Sequence, residues 1–185
     1  MSSLLVASKL IAGGRGLAPA LLGRAATLTL DWDTRQKSRF DAVDSGGRRI
    51  GVFLARGAIV RGGDVLVAED GTLIVVQALA QAVLIVTASQ ASSDPRLDLL
   101  RAAYHLGNRH VPLEVRADRL VLEPDHVLAE LLARMGLDVV ATTGPFEPEG
   151  GAYDAATAAA HTHASDVDGH EHGEHHRHAR HGPGR

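Results

Sequence analysis

Apolar positions alternate with polar ones along the first part of the chain, and the alternation breaks at turn residues. Leu4-Leu5-Val6 reads as a first strand followed by a glycine-bearing connection, Gly13 to Gly16. Strands are then expected over Thr27–Trp32, Arg39–Val43 and Arg48–Leu54, the last two joined across Ser45-Gly46-Gly47. Asp64–Ala68 and Thr72–Ala78 face each other across Glu69-Asp70-Gly71, a hairpin signal. The apolar stretch Leu73–Val86 is short, carries Gln77 and Gln81, and is rich in β-branched residues. It therefore predicts two buried strands rather than a membrane span. No helical period of useful length occurs before residue 90.

The period changes at Asp94-Pro95, an N-cap residue followed by proline at the first helical position. Leu97, Leu100 and Tyr104 recur at helical spacing, and Gly107 ends the segment. Short strands follow near Val111–Arg116 and Arg119–Glu123. A second helix starts near Pro124-Asp125, is expected to bury Val127, Leu128, Leu131, Leu132 and Met135, and stops at Gly136. A strand over Leu137–Ala141 closes the series. With Ala82–Thr87 as its first strand, the order is β-α-β-β-α-β, which matches a ferredoxin-like unit. The fold class expected is α+β: a small N-terminal β domain (residues 1–82), a ferredoxin-like domain (83–153) and a histidine-rich segment (154–185). Beyond Tyr153 the composition reduces to Ala, His, Gly and charges, with Val167 as the single β-branched aliphatic. Too little apolar surface is available there to offset ordering entropy, so disorder is expected.

Composition removes several function classes. The chain of 185 residues has only six aromatic residues and a net charge of −3. Neither a base-stacking surface nor a basic field for phosphate or anionic lipid is present, so no nucleic-acid or membrane partner is expected. Absence of cysteine removes disulfides, thiolate metal sites and cysteine nucleophiles. No nucleophile elbow, phosphate loop or dinucleotide fingerprint occurs, and Ser89, Ser92 and Ser93 belong to a helix-capping region; the chain is not expected to be an enzyme. A cytoplasmic location is expected.

Histidine is the informative residue. Eight of the eleven, His161, His163, His170, His172, His175, His176, His178 and His181, are interleaved with Asp166, Asp168, Glu171 and Glu174. Imidazole with carboxylate and without thiolate suits nickel, zinc or copper(II) rather than calcium or magnesium. Interruption by Glu, Gly, Arg and Ala distinguishes the segment from a purification tag. The other three are His105, His110 and His126, too few beside no cysteine for a four-ligand structural zinc site. A two-fold axis between copies would double each of them. His110 lies in a loop after Gly107-Asn108-Arg109, where it could face such an axis, and His126 falls in the first turn of a helix.

The string Tyr104-His105-Leu106-Gly107-Asn108-Arg109-His110-Val111-Pro112 resembles the urease accessory nickel metallochaperones, the UreE family. Arg56-Gly57-Ala58-Ile59-Val60-Arg61-Gly62-Gly63-Asp64, Asp125-His126-Val127-Leu128 and Pro145-Phe146-Glu147-Pro148-Glu149-Gly150-Gly151-Ala152-Tyr153 agree in family order. The resemblance implies a homodimer with a partner-binding N-terminal β domain and a ferredoxin-like metal-binding domain. It further implies that His110 from two protomers holds one nickel(II) and that His126 serves a peripheral site; zinc(II) is the second ion that the imidazole and carboxylate donors admit. Relatives with His-x-His there differ from Pro124-Asp125-His126. His105 matches the other motif histidine and, at a helix end, is expected to cap carbonyls. The function implied is delivery of nickel through a partner GTPase to the complex that activates apo-urease. The alternative is nickel or zinc storage with no delivery partner.

Overall fold

The computed structural model describes residues 4–150. Among these residues, ten strands form two sheets and four α-helices accompany them. The first sheet is built from β1 (Leu5–Ile11), β2 (Ala26–Leu30), β3 (Arg39–Val43), β4 (Arg49–Phe53), β5 (Val65–Ala68) and β6 (Leu73–Ala78), in the order β2-β6-β5-β1-β4-β3. Its hairpins β3–β4 and β5–β6 are antiparallel, whereas β1 pairs β4 and β2 pairs β6 in parallel. Alternation puts Leu28, Leu30, Ile50, Val52, Leu66, Ile74 and Val76 in one buried cluster with Ala7 and Val60. The Glu69-Asp70-Gly71 turn needs Gly71 at φ +84°, a region that costs a side-chain-bearing residue energy.

The strand expected over Thr27–Trp32 ends early. Asp31 accepts a hydrogen bond from the Thr34 amide (2.8 Å) and thereby starts a short helix, α2 (Trp32–Arg35). A second four-residue helix, α1, spans Pro19–Leu22. Both are too short to leave a periodic pattern.

The second sheet has the order β10-β7-β9-β8, from β7 (Gln81–Ala88), β8 (Glu114–Val115), β9 (Leu120–Leu122) and β10 (Leu137–Gly144), and every neighbouring pair is antiparallel. Helices α3 (Pro95–Gly107) and α4 (His126–Arg134) pack against it through Leu99, Ala102, Leu106 and Leu132. The molecule is thus mixed α+β and strand-rich. Asp94 caps α3 by accepting from the Leu97 amide (3.1 Å), with Pro95 at the first turn, as the sequence predicts.

Three details depart from the sequence reading. The buried side of α3 is Leu99, Ala102 and Leu106, while the expected stripe lies outside, Leu97 at 40% exposure and Leu100 and Tyr104 at 66%. In α4 only Leu132 is fully buried; Val127 is exposed, and Leu128, Leu131 and Met135 are half-buried. The strand expected over Val111–Arg116 shrinks to Glu114–Val115, because the Val111 amide turns back to Leu106 and Pro112 has no N–H to give a ladder.

The two sheets are joined by more than the Leu79-Ala80 connection. Trp32 and Phe146 meet edge to face (centroids 6.1 Å apart) in a buried cluster with Val83 and Val121. The Trp32 amide donates to Gln81, which in turn donates to Glu123.

Candidate metal centre

The site grows out of the C-terminal end of α3. The Val111 amide donates to the Leu106 carbonyl (3.2 Å), and the His110 amide donates to Gly107 (2.9 Å). These are the two bonds of a Schellman closure, with His110 at the position that usually carries glycine. Val111 packs against the same buried cluster as Leu106, the apolar contact that accompanies this motif. His110 accordingly has φ +57°, the one non-glycine residue with positive φ among the described residues. Histidine adopts this region more readily than most side chains but still loses of order 1 kcal/mol against glycine. In exchange, the backbone turns there and the imidazole stands in solvent.

His105 lies in the last turn of α3, exposed, with its ring edge-on to Tyr104 (5.5 Å). The carbonyl-capping role expected of His105 is taken by Arg109, whose guanidinium donates to the His105 carbonyl (2.8 Å). Arg is the better donor because its fork reaches back one turn. His126 is the first residue of α4, exposed, and Asp125 caps that helix by accepting from the Val127 (2.8 Å) and Leu128 (2.9 Å) amides. Asp125 is therefore spent on the helix end, while the His126 ring remains at the surface.

Among the described residues, no three side chains of His, Cys, Asp or Glu gather around a common point. His105 and His110 share one helix end, and His126 opens a different helix. The eight histidines His161, His163, His170, His172, His175, His176, His178 and His181 lie outside the described residues, as does Tyr153. Two features were missed from sequence. One is the exposed apolar side of α3, which continues to Val115 (45% exposed) on the edge strand β8 and borders a groove of about 220 Å³ lined by Leu99, Leu100, Ala103 and Leu120. The other is the set of polar contacts around Glu147, within the Pro145–Tyr153 motif. For the first, the alternative spacing Leu99, Ala102, Leu106 was available as a signal.

The arrangement presents an imidazole outward from a capped helix end. Comparison with known proteins gives the chain a family. Residues 7–79 match the description "UreE urease accessory protein, N-terminal domain" and residues 81–178 match "UreE urease accessory protein, C-terminal domain". The chain is 64% identical over 155 residues to the urease accessory protein UreE of Methylibium petroleiphilum, covering 84% of this chain and 71% of the relative. Against the protein of the same name from Albidiferax ferrireducens it is 59% identical over 170 residues, 92% of this chain and 96% of the relative. The corresponding protein of Paracidovorax citrulli is 62% identical over 152 residues, 82% and 72% of the two chains. The chain belongs to the UreE family of urease accessory proteins.

Proposed function

We propose that this chain is a metallochaperone that carries nickel(II) to apo-urease, with His110 as the central ligand. The observation that carries the reading is the positive φ of His110. A helix end that glycine would close at lower energy holds instead an exposed ligand. One imidazole does not hold a metal, and no further ligand converges on it among the described residues. The missing donors are supplied by a second copy, since a two-fold axis through the α3 end brings two His110 side chains together. The exposed Leu97, Leu100 and Tyr104 run along α3 toward that end and supply apolar surface for such a homodimer.

Residues 154–185 add the remaining imidazoles. The Glu149 amide donates to the Leu113 carbonyl (2.8 Å), so Glu149 itself lies beside the loop that bears His110. Histidines tethered there, His161 and His163 nearest in sequence, act at high local concentration on a metal held by His110. His126 serves as a peripheral ligand. Zinc(II), with similar ligand preferences, competes for these sites.

On this reading residues 83–153 form the metal-binding domain, a ferredoxin-like unit supported by the all-antiparallel order β10-β7-β9-β8 with both helices packed on the sheet. Residues 1–82 form the partner-binding domain. The recipient is the cytoplasmic complex of a urease accessory GTPase with apo-urease. Storage would use residues 154–185 but leaves a histidine in a glycine position without a purpose.

The test is nickel titration of the full chain and of His110→Ala, with oligomeric state measured in parallel. The wild-type homodimer should show one tight site per dimer above weaker sites, and His110→Ala should lose the tight site alone. A tight site that survives His110→Ala overturns the assignment.

A further inference from the structure

Residues 146–149 belong to neither sheet, yet their polar groups are divided between both. From the first-sheet side, Arg35 on α2 is completely buried, and all three of its nitrogens are used. Nε donates to the Leu30 carbonyl (3.2 Å), Nη1 to Glu147 Oε1 (2.7 Å) and Nη2 to the Phe146 carbonyl (2.6 Å). The Gly62 amide donates to the same Glu147 oxygen (2.8 Å), and Arg61 donates to the Pro148 carbonyl. Both guanidinium groups lie over the Trp32 ring, at 5.3 Å for Arg35 and 5.0 Å for Arg61.

From the second-sheet side, the Glu147 amide donates to Glu114 Oε2 (2.7 Å) and the Glu149 amide to the Leu113 carbonyl (2.8 Å). Glu114 is itself buried and is held by Arg116, whose Nε stands 2.6 Å from the other carboxylate oxygen. Leu113 and Glu114 are the downstream anchor of the loop that begins at His110. Its upstream anchor is the closure on Leu106 and Gly107. The loop is therefore fixed at one end by α3 and at the other by β8, where a segment that the first sheet grips adds two further hydrogen bonds.

We infer that residues 146–149 are a clasp, closed by Arg35 and Glu147, through which the first sheet positions His110. The inference rests on the reading of His110 as a metal ligand. Charge-assisted bonds that satisfy a buried guanidinium tolerate little displacement, so release of Glu147 removes the outer hold on Glu114 and Leu113 and loosens the loop, which β8 alone then anchors. Arg35 and Glu147 are positioning residues that act on the metal through the backbone. Outer contacts of this kind commonly change metal affinity when removed. The consequence is that docking at the first sheet near Arg61 and Gly62 changes the hold on nickel at a distance.

Gly62 allows the clasp to be opened without removing a charge. A Cβ at Gly62 would stand 2.7 Å from Glu147 Oε1, the mobile end of a side chain, and Gly62 is not in the positive-φ region. Gly62→Ala should thus displace Glu147 while the fold tolerates the methyl group. Amide hydrogen exchange in the full-length protein, without metal, is followed at His110 and Val111 and, as reference, at β7 and β9. Exchange at His110 and Val111 should accelerate severalfold in Gly62→Ala and in Glu147→Gln, with β7 and β9 unchanged. The double variant should be no faster than the stronger single one, since both act through one contact. Nickel affinity of the tight site should fall by about tenfold in either variant. Unchanged exchange at His110 and Val111, or equal acceleration throughout the second sheet, overturns the clasp. Survival of the tight site in His110→Ala would instead sink the ligand assignment, and the exchange measurement would still decide the clasp.

Discussion

In the first sheet Ala7, Leu28, Ile50, Val52, Leu66 and Ile74 have no exposed surface, whereas α3 on the second sheet holds Leu100 and Tyr104 two-thirds in solvent. The first region completes its core with its own strands, and its turns are closed by local carboxylates such as Asp44 and Asp64. The second closes one side of its helix and leaves the other uncovered, next to a histidine in a strained position. Both regions leave apolar side chains in solvent, Val43 and Phe53 among them in the first, but the second does so along one side of a helix that ends at a positive-φ histidine. The difference is that the candidate ligand stands at the end of an uncovered helix side rather than within a closed core.

The largest effect that tests this contrast is on urease activation. In a homodimer His110→Ala removes two ligands with one substitution, so activation at limiting nickel should collapse in cells at matched expression. Deletion of Ala155–Arg185 should impair it mildly. A larger defect from the deletion would favour storage.

The uncovered face comes next. Leu100→Glu with Tyr104→Glu should convert the dimer to a folded monomer in sedimentation experiments, because the two side chains are exposed in the single chain. Each buried apolar side chain contributes roughly 1.5–3 kcal/mol, so the pair should weaken association by more than about a hundredfold. An unchanged dimer would place the interface elsewhere.

Deletion of Ala155–Arg185 should lower nickel stoichiometry sharply and leave the melting temperature and the dimer intact, since the removed residues hold almost no apolar surface. Loss of folding on deletion would contradict this division of labour.

His110→Gly should separate fold from function. Relief of the positive φ should raise stability by about 1 kcal/mol, or about 2–4 °C in melting temperature, while the tight nickel site is lost. A lower melting temperature would show that the imidazole makes a stabilising contact within the fold.

The smallest effect lies in the first sheet. Burial pushes the Asp44 carboxyl upward, but hydrogen bonds from the amides of Arg48 and Gly46 and from the Arg48 side chain outweigh it and hold Asp44 below the usual carboxylate range. A carboxyl lowered by folding adds stability that is complete above its unfolded value of about 3.9 and is lost as pH falls through the lower folded value. Acid unfolding of Asp44→Asn should therefore begin from lower stability at neutral pH and show a shallower dependence below pH about 4. An unaltered acid limb would mean that Asp44 contributes nothing through its charge.

Much of this contrast was legible in the chain. Alternation and the Glu69-Asp70-Gly71 turn are local properties, so β2 to β6 were readable within a residue or two, whereas β1 continues five residues past Val6 because Lys9 pairs with Val67 across the sheet. Asp94-Pro95 marked the start of α3 because a cap acts within one turn. The face of α3 was not readable, since Leu97-Leu100-Tyr104 and Leu99-Ala102-Leu106 both satisfy helical spacing and the choice belongs to the sheet beneath. Val127 failed for the same reason. The strand near Val111 was overestimated because apolar composition outweighed the hydrogen bond that Val111 makes backwards.

Sequence by itself determined the longer elements and their order, the scarcity of aromatic and sulfur chemistry, and the imidazoles available as ligands, because these depend on residue type and short spacing. Tertiary structure decided which side of α3 is bare and that His110 occupies a glycine position. It also decided that Arg35 meets Glu147 across 112 positions of chain. A contact of that separation leaves no periodic trace. It exists only where the sheets bring both residues into one buried place, where a charge must find its partner.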